Sequence, residues 1–298
     1  MAVSTRLIKR RIKSVGNTKK ITGAMELVAA SKMRKAVAAT SASRPYFRIG
    51  KEMIEALSEA GAEVLEHPLF RENAKAKRAL LIIIASDRGL AGGYNAQLLK
   101  KTIEFIKKET QNGTEFDYIT VGKKSQDAVK RMNGNIIAAF LNMSNNPGIV
   151  SMRPISDIAL REFAAGKYCR VFIAYTDFVS SLRQIPAITE LLPLRKEDIE
   201  IESGKQEKKT KKEREYIFEP NSFSVLDAML PRLVETEVFQ AILESAASEH
   251  SARMLAMRNA TDAARDMIDD LTFTFNQARQ AGITREISEI AAGKAALE

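Results

Sequence analysis

From Leu226 onward, apolar or small residues recur at alternating steps of three and four: Leu226, Met229, Leu233, Thr236, Gln240, Leu243, Ala247, His250, Met254, Met257, Thr261, Ala264, Ile268, Leu271, Phe275 and Ala278. A mean step of about 3.5 keeps one stripe of a helix turned toward a partner helix and imposes a left-handed supercoil. Thr236, Gln240, His250 and Thr261 interrupt the stripe, so it is no uniform apolar zipper. The N-terminal end carries a weaker version at Ile8, Ile12, Val15, Thr18, Thr22, Met25, Ala29 and Ala36, with lysines and arginines on the polar face. The eight prolines stand at 45, 68, 147, 154, 186, 193, 220 and 231. Because proline inside a helix costs about 3 kcal/mol, proline-free ends predict long helices flanking a punctuated middle. Pro231 should kink the first turns of the last helix or mark a later start.

The middle follows a different rhythm. "ALLIIIAS" reads as a buried strand and "NAQLLKKTIEFIKKET" as a helix closed by the turn at Asn112-Gly113. Then come the strand "FDYITVG", the helix "KKSQDAVKRM", the strand "IIAAFL", a helix around 154–165 and the strand "CRVFIAYT". Strands alternating with helices of this length predict a mostly parallel, right-handed α/β sheet. Residues 195–215, "RKEDIEIESGKQEKKTKKERE", are dense in charge and poor in core residues, which predicts a mobile surface loop. "YIFEP" then returns to strand. The organisation expected is an N-terminal helix over 1–60, a central domain over 75–220 and a C-terminal helix over 221–298.

Connectivity adds a shape. The first helix enters the domain near 60 and the last leaves it near 222, so the two should run antiparallel from one body, with residue 1 beside about 281. At 1.5 Å per residue the last helix would span roughly 100 Å, against roughly 30 Å for a small domain. The expectation is a stalk on a body, with the final segment projecting.

Charge sharpens this. The 298-residue chain carries a net charge of +9, which raises nucleic acid, a membrane surface or an acidic protein as partner. Thirteen bases and one acid, Glu26, lie between Arg6 and Lys51, whereas twelve acids face seven bases from Ser222 onward. Opposite bias suits helices that pair. The sole cysteine, Cys169, sits in an apolar strand and fits a reducing compartment. No stretch reaches the roughly 18 apolar residues of a membrane span, and charges near the N-terminus argue against a signal peptide.

The chemistry expected of a glycine loop is missing. After "ALLIIIAS", the glycines at 89, 92 and 93 are followed by Tyr94 and Asn95. A P-loop needs G-x-x-x-x-G-K-[ST] and a dinucleotide fold needs G-x-G-x-x-G. Ser86 lacks the G-x-S-x-G elbow. His67 and His250 are far apart and, with one cysteine, make no zinc site of ordinary spacing. "DMIDD" at 266–270, with Arg265 nearby, suits ion pairing along a helix better than acid–base catalysis. Two readings stay open here: a nucleotide-binding α/β protein with a coiled-coil interaction module, and a nucleic-acid binder.

Three long blocks, "IKRRIKSVGNTKKITGAMELVAASKMRKA" (8–36), "SDRGLAGGYN" (86–95) and "ARQAGITREISEIAAGKAAL" (278–297), resemble the gamma subunit of F-type ATP synthases. The resemblance spans essentially the whole chain. It implies a long antiparallel two-helix coiled coil formed by the terminal helices, plus a central Rossmann-like α/β domain. It also implies a non-catalytic rotor shaft without cofactor or metal. That shaft stands inside a ring of alpha and beta subunits, beside epsilon and the membrane c-ring, on the cytoplasmic face of a bacterial membrane. By the same resemblance, Arg279 and Gln280 would catch a beta-subunit loop, with Arg253 a second polar contact and Thr284 and Glu286 behind it. Met25 matches a coupling methionine. Lys19, Lys20, Lys32 and Arg34 would face the acidic lever of beta, and Arg88 would lie near that lever. Ile283, Ile287, Ile290, Ala291, Ala292 and Leu297 would form a smooth tip. Ala91 stands where the family commonly has cysteine, and the loop 195–215 is longer than the family leads one to expect.

Overall fold

The computed structural model describes residues 5–60, 67–71, 73, 76–143, 148–194 and 222–295. The charged stretch 195–215 and the strand expected at "YIFEP" lie outside them. Helix α1 is Thr5–Ala60, followed by strand β1 (Arg78–Ile84), α2 (Tyr94–Gln111), β2 (Glu115–Val121), α3 (Lys123–Arg131) and β3 (Asn135–Phe140). After these come α4 (Ile149–Ala164), β4 (Arg170–Phe178), β5 (Gln184–Leu192) and α5 (Ser222–Ala295). The chain divides into two compact units, 1–30 with 253–298 and 31–252, and both long helices contribute to each.

In the larger unit the sheet order is β3-β2-β1-β4-β5. β1 pairs in parallel with β2 and β4, while β5 runs antiparallel to β4. Six of the seven residues of β1 are buried, as a central parallel strand covered on both faces requires. Its side chains alternate between two cores. Leu80, Ile82 and Ile84 meet Met152 and Ile155 of α4 and Leu230, Val234, Val238 and Ile242 of α5. Ala79, Leu81 and Ile83 meet Leu98 of α2, Val129 of α3 and Phe172 of β4. α5 therefore serves as a covering helix of the sheet, and residues 240–251 are buried on all sides.

The smaller unit is an antiparallel helix pair. Thr261 donates to Thr22 across it at 2.7 Å, and in the larger unit Ser43 donates to Gln240 at 2.6 Å. Twenty-one residues along α1 correspond to twenty-one back along α5, close to the offset expected from entry near 60 and exit near 222. From Met257 onward the partly or fully buried positions of α5 are Met257, Ala260, Thr261, Ala264, Ile268, Leu271, Phe275, Ala278 and Gly282, which is the sequence stripe with Ala260 beside it and one further step.

Four local expectations are corrected. On α1 the seam passes through the half-buried Lys19, and Thr18 is exposed with its hydroxyl turned back to the Ser14 carbonyl. The aliphatic stem of lysine covers seam surface while its ammonium reaches water. Of the two outcomes expected at Pro231, the later start is overturned: α5 begins at Ser222 and runs through the proline, with Leu230, Leu233 and Val234 packed into the core on either side. α4 starts at Ile149 and contains Pro154, since burial of Met152 and Ile155 outweighs one lost backbone bond. β5 had no counterpart in the sequence reading, because Pro186 interrupts it. An outer strand tolerates proline on its unpaired side.

Candidate functional site

Doubly wound sheets bind ligands beyond the carboxyl ends of their strands, where the strand order reverses. Here that point lies between β1 and β4, and the glycine loop follows β1 directly. The loop is tied down by its own side chains. Asn95 and Ser86 bond each other, with Asn95 Oδ1 also accepting from the Ser86 N–H at 3.1 Å. The Ser86 hydroxyl donates to the Arg88 carbonyl at 2.6 Å. Asp87 accepts from the Lys123 N–H at 3.2 Å and from the Asn142 N–H at 2.9 Å. Its carboxylate thus stands at the positive start of α3. Gly122, which joins β2 to α3, has φ +88° and lies so close to β1 that a Cβ would meet the Ala85 carbonyl oxygen at 2.1 Å.

The crevice itself is filled by α5. Ser245 accepts from the Thr176 N–H at 3.1 Å, Ser248 donates to the Thr176 carbonyl at 3.2 Å, and Ser251 donates to the Ser181 carbonyl at 2.7 Å. Three serines at helical spacing thereby fasten α5 to the end of β4 and its hairpin. Between Ile84, Asp87, Tyr94 and Gly122 on one side and Ile242, Ser245 and Glu249 on the other, a cavity of about 10 Å³ remains, room for about one water. Among the described residues the docked helix α5 occupies the crevice and leaves only this cavity there.

Two buried polar clusters have other uses. Asp117 accepts from Tyr168 Oη at 2.9 Å, from Asn135 at 2.9 Å and from Arg78 at 3.3 Å. Burial, then the hydrogen bond to Asp117, pushes the Tyr168 phenol up to about 12. Glu235 is bridged by Arg153 and Arg232, both at 2.9 Å. Burial opposes its ionisation, but the two arginines win and hold its carboxyl below the usual range. Both clusters satisfy buried charge.

The residues singled out in the sequence do not converge on a pocket. Lys19, Lys20, Met25, Arg253, Arg279, Gln280, Thr284 and Glu286 belong to the helix-pair unit; Lys32, Arg34 and Arg88 belong to the larger one. Lys20, Arg34, Arg88, Arg279, Gln280, Thr284 and Glu286 are exposed, while Lys19, Met25, Lys32 and Arg253 are half-buried. The Thr284 hydroxyl turns back to the Gln280 carbonyl at 3.0 Å. Lys9, Arg10, Arg11, Lys13 and Lys20 all face outward. A cross-helix ion pair in this unit joins minority charges, Glu26 of α1 and Arg258 of α5, at 3.9 Å. The basic face of α1 is thus directed away from α5.

Several exposed apolar residues escaped the sequence reading. Ile21, Leu27 and Val28 on α1 are 61, 73 and 57% exposed, and Phe273 on α5 is 65% exposed. In the glycine loop Leu90 is 64% exposed with φ +62°, a conformation costly for a bulky side chain. Apolar residues off the helical seam were the available signal. Beyond Gly282, residues 283–292 are exposed throughout, including Ile283, Ile287 and Ile290.

Together these features define an α/β protein whose ligand crevice is closed by its own helix and whose outward chemistry lies along paired terminal helices. The family model described as ATP synthase matches residues 4–297. The ATP synthase gamma chain of Dehalococcoides mccartyi strain CBDB1 is 43% identical over 294 residues, covering 98% of both chains. That of Xanthomonas campestris pv. campestris strain B100 is 39% identical over 292 residues, covering 98% of this chain and 99% of its own. The chain belongs to the ATP synthase gamma-chain family. Its fold is shared with a chain of the Euglena gracilis mitochondrial ATP synthase solved in rotational state 3, with TM-score 0.65, 18% identity, and 98% of this chain and 94% of that one covered. A chain of the Tetrahymena thermophila central stalk and c-ring structure aligns with TM-score 0.60 and 24% identity, covering 80% of this chain and 99% of that one. Among the described residues no helix is long and apolar enough to cross a membrane.

Proposed function

We propose that the chain is the central rotor shaft of an F-type ATP synthase, carrying rotation of a membrane c-ring to three catalytic beta subunits without catalysing a reaction itself. The observation that carries this is the antiparallel helix pair whose basic and apolar outer faces are turned away from its own seam. A shaft drives a neighbour only by binding one of its conformations better than another. An outer surface that differs from side to side supplies that difference; a uniform one would shift nothing.

In this reading Arg279 and Gln280 catch a beta-subunit loop, with Arg253, Thr284 and Glu286 as neighbouring polar contacts. Met25 couples α1 to the ring. Lys19, Lys20, Lys32, Arg34 and Arg88 meet an acidic lever on beta. The exposed isoleucines after Gly282 turn in an apolar bearing. Alpha subunits complete the ring, epsilon sits beside the α/β body, and the complex lies on the cytoplasmic face of a bacterial membrane.

The experiment is assembly of alpha–beta rings with and without the chain. Coupled ATP turnover should depend on it, and R279A/Q280A should lower turnover while leaving assembly intact. Equal turnover with and without the chain would sink the reading. The rival nucleotide-binding reading is disfavoured by the α5 serines seated in the crevice, and it predicts heat on titrating ATP into the isolated chain.

A further inference from the structure

The cavity of about 10 Å³ beside the glycine loop has a mixed lining. Ile84 and Ile242 give it apolar walls, while Asp87 and Tyr94 line it from the loop side and Ser245 and Glu249 from α5. Tyr94 is 5% and Glu249 4% exposed, so bulk water does not solvate them. Asp87 accepts from the Lys123 N–H with one oxygen and from the Asn142 N–H with the other. Ser245 Oγ accepts from the Thr176 N–H at 3.1 Å, which leaves the Ser245 hydrogen to donate.

A carboxylate offers about four acceptor sites and a hydroxyl one donor. Acceptors buried this far from solvent need donors nearby, and the space admits one small molecule. Water brings two O–H donors and accepts from one hydroxyl in return. A polar cavity of about one probe volume with two to four partners is where buried water settles. An anion would be repelled by the two carboxylates. Among the described residues no group of three or more His, Cys, Asp or Glu side chains gathers to hold a metal ion.

We propose that one ordered water occupies this cavity and bridges the glycine loop to α5, donating to Asp87 and Glu249 and accepting from Ser245. The link reaches beyond the loop, because Asp87 already holds the start of α3 and the turn after β3. One molecule thus joins α5 to three segments at the carboxyl edge of the sheet. The loop also carries the exposed Arg88 and Leu90. A load applied to them passes to α5 through the water as well as through the packed backbone.

The test is a high-resolution crystal structure of the full chain, together with amide hydrogen exchange of the wild type and two variants. The cavity should hold a single oxygen at about 2.5–3.2 Å from groups on both walls. E249Q, whose carboxamide oxygen still accepts, should keep the water and wild-type protection at the Lys123 and Asn142 amides. E249L, apolar and space-filling, should expel the water and lower protection at those amides about tenfold, with Ile82 in β1 unchanged. An empty cavity in the wild-type crystal overturns the proposal whether or not E249L folds. An ion at about 2.0–2.6 Å from its ligands overturns it too. So does E249L protection equal to wild type, or a loss at Ile82 as large as at Lys123.

Discussion

Gly122, at the turn from β2 into α3, has no room for a side chain because its backbone packs against Ala85 and Ser86 at the start of the glycine loop. With φ +88° and a Cβ position 2.1 Å from the Ala85 carbonyl oxygen, G122A should destabilise the chain by at least about 2 kcal/mol. Gly89, in the glycine loop between β1 and α2, meets nothing within 4 Å, so G89A should stay within about 0.5 kcal/mol. Urea unfolding of the two variants checks the contrast, and equal losses would contradict it. Glu235 gives a residue-scale pH effect. Its folded-state value is lowered, so its contribution is present above the ordinary carboxylate range and lost as pH falls through the lowered value. E235Q should flatten that part of the stability–pH curve on the acid side. The residue scale is also where the sequence was hardest to read. Thr18 and Lys19 compete for one seam position, and the sequence pattern favours the smaller residue. Packing selects the lysine, whose stem lies along the seam while its charge stays wet.

Among elements, β1 and α5 lie at opposite ends of legibility. β1 is a continuous apolar run flanked by turn residues, and such a run is visible in any sequence. β5 was invisible because its Pro186 reads as a break, and only the sheet's outer position makes that proline harmless. The stripe of α5 was legible, yet its docking was not. Ser245, Ser248 and Ser251 look like ordinary small polar residues until the fold brings Thr176 and Ser181 to them. S245A should leave the buried Thr176 N–H without its acceptor and cost about 1–3 kcal/mol, measured by thermal unfolding. A surface serine such as Ser288 replaced by alanine is the control, with a near-zero change expected.

For the whole molecule the relevant question is whether the long helices work as one piece. Thr22 and Thr261 face each other with hydroxyls 2.7 Å apart, so a T22C/T261C pair should oxidise readily. Cross-linking should leave ATP turnover of the assembled complex unchanged if the helices turn together, and turnover lost on oxidation and restored on reduction would show that they must move apart. At the same scale, a titration of ATP into the isolated chain should be calorimetrically flat, since α5 holds the crevice.

The sequence alone determined the paired terminal helices, their antiparallel offset and the alternating strands and helices between them. Each follows from a local period of burial that is written into consecutive residues. The family, too, was legible in three contiguous blocks. Tertiary structure decided what no local period encodes: that α5 closes the ligand crevice, that an edge strand accommodates Pro186, and that Ser245 meets Thr176 across sixty-nine positions of chain. These depend on which distant groups share a buried volume, and there the cost of an unpaired polar group or an unfilled space selects the arrangement.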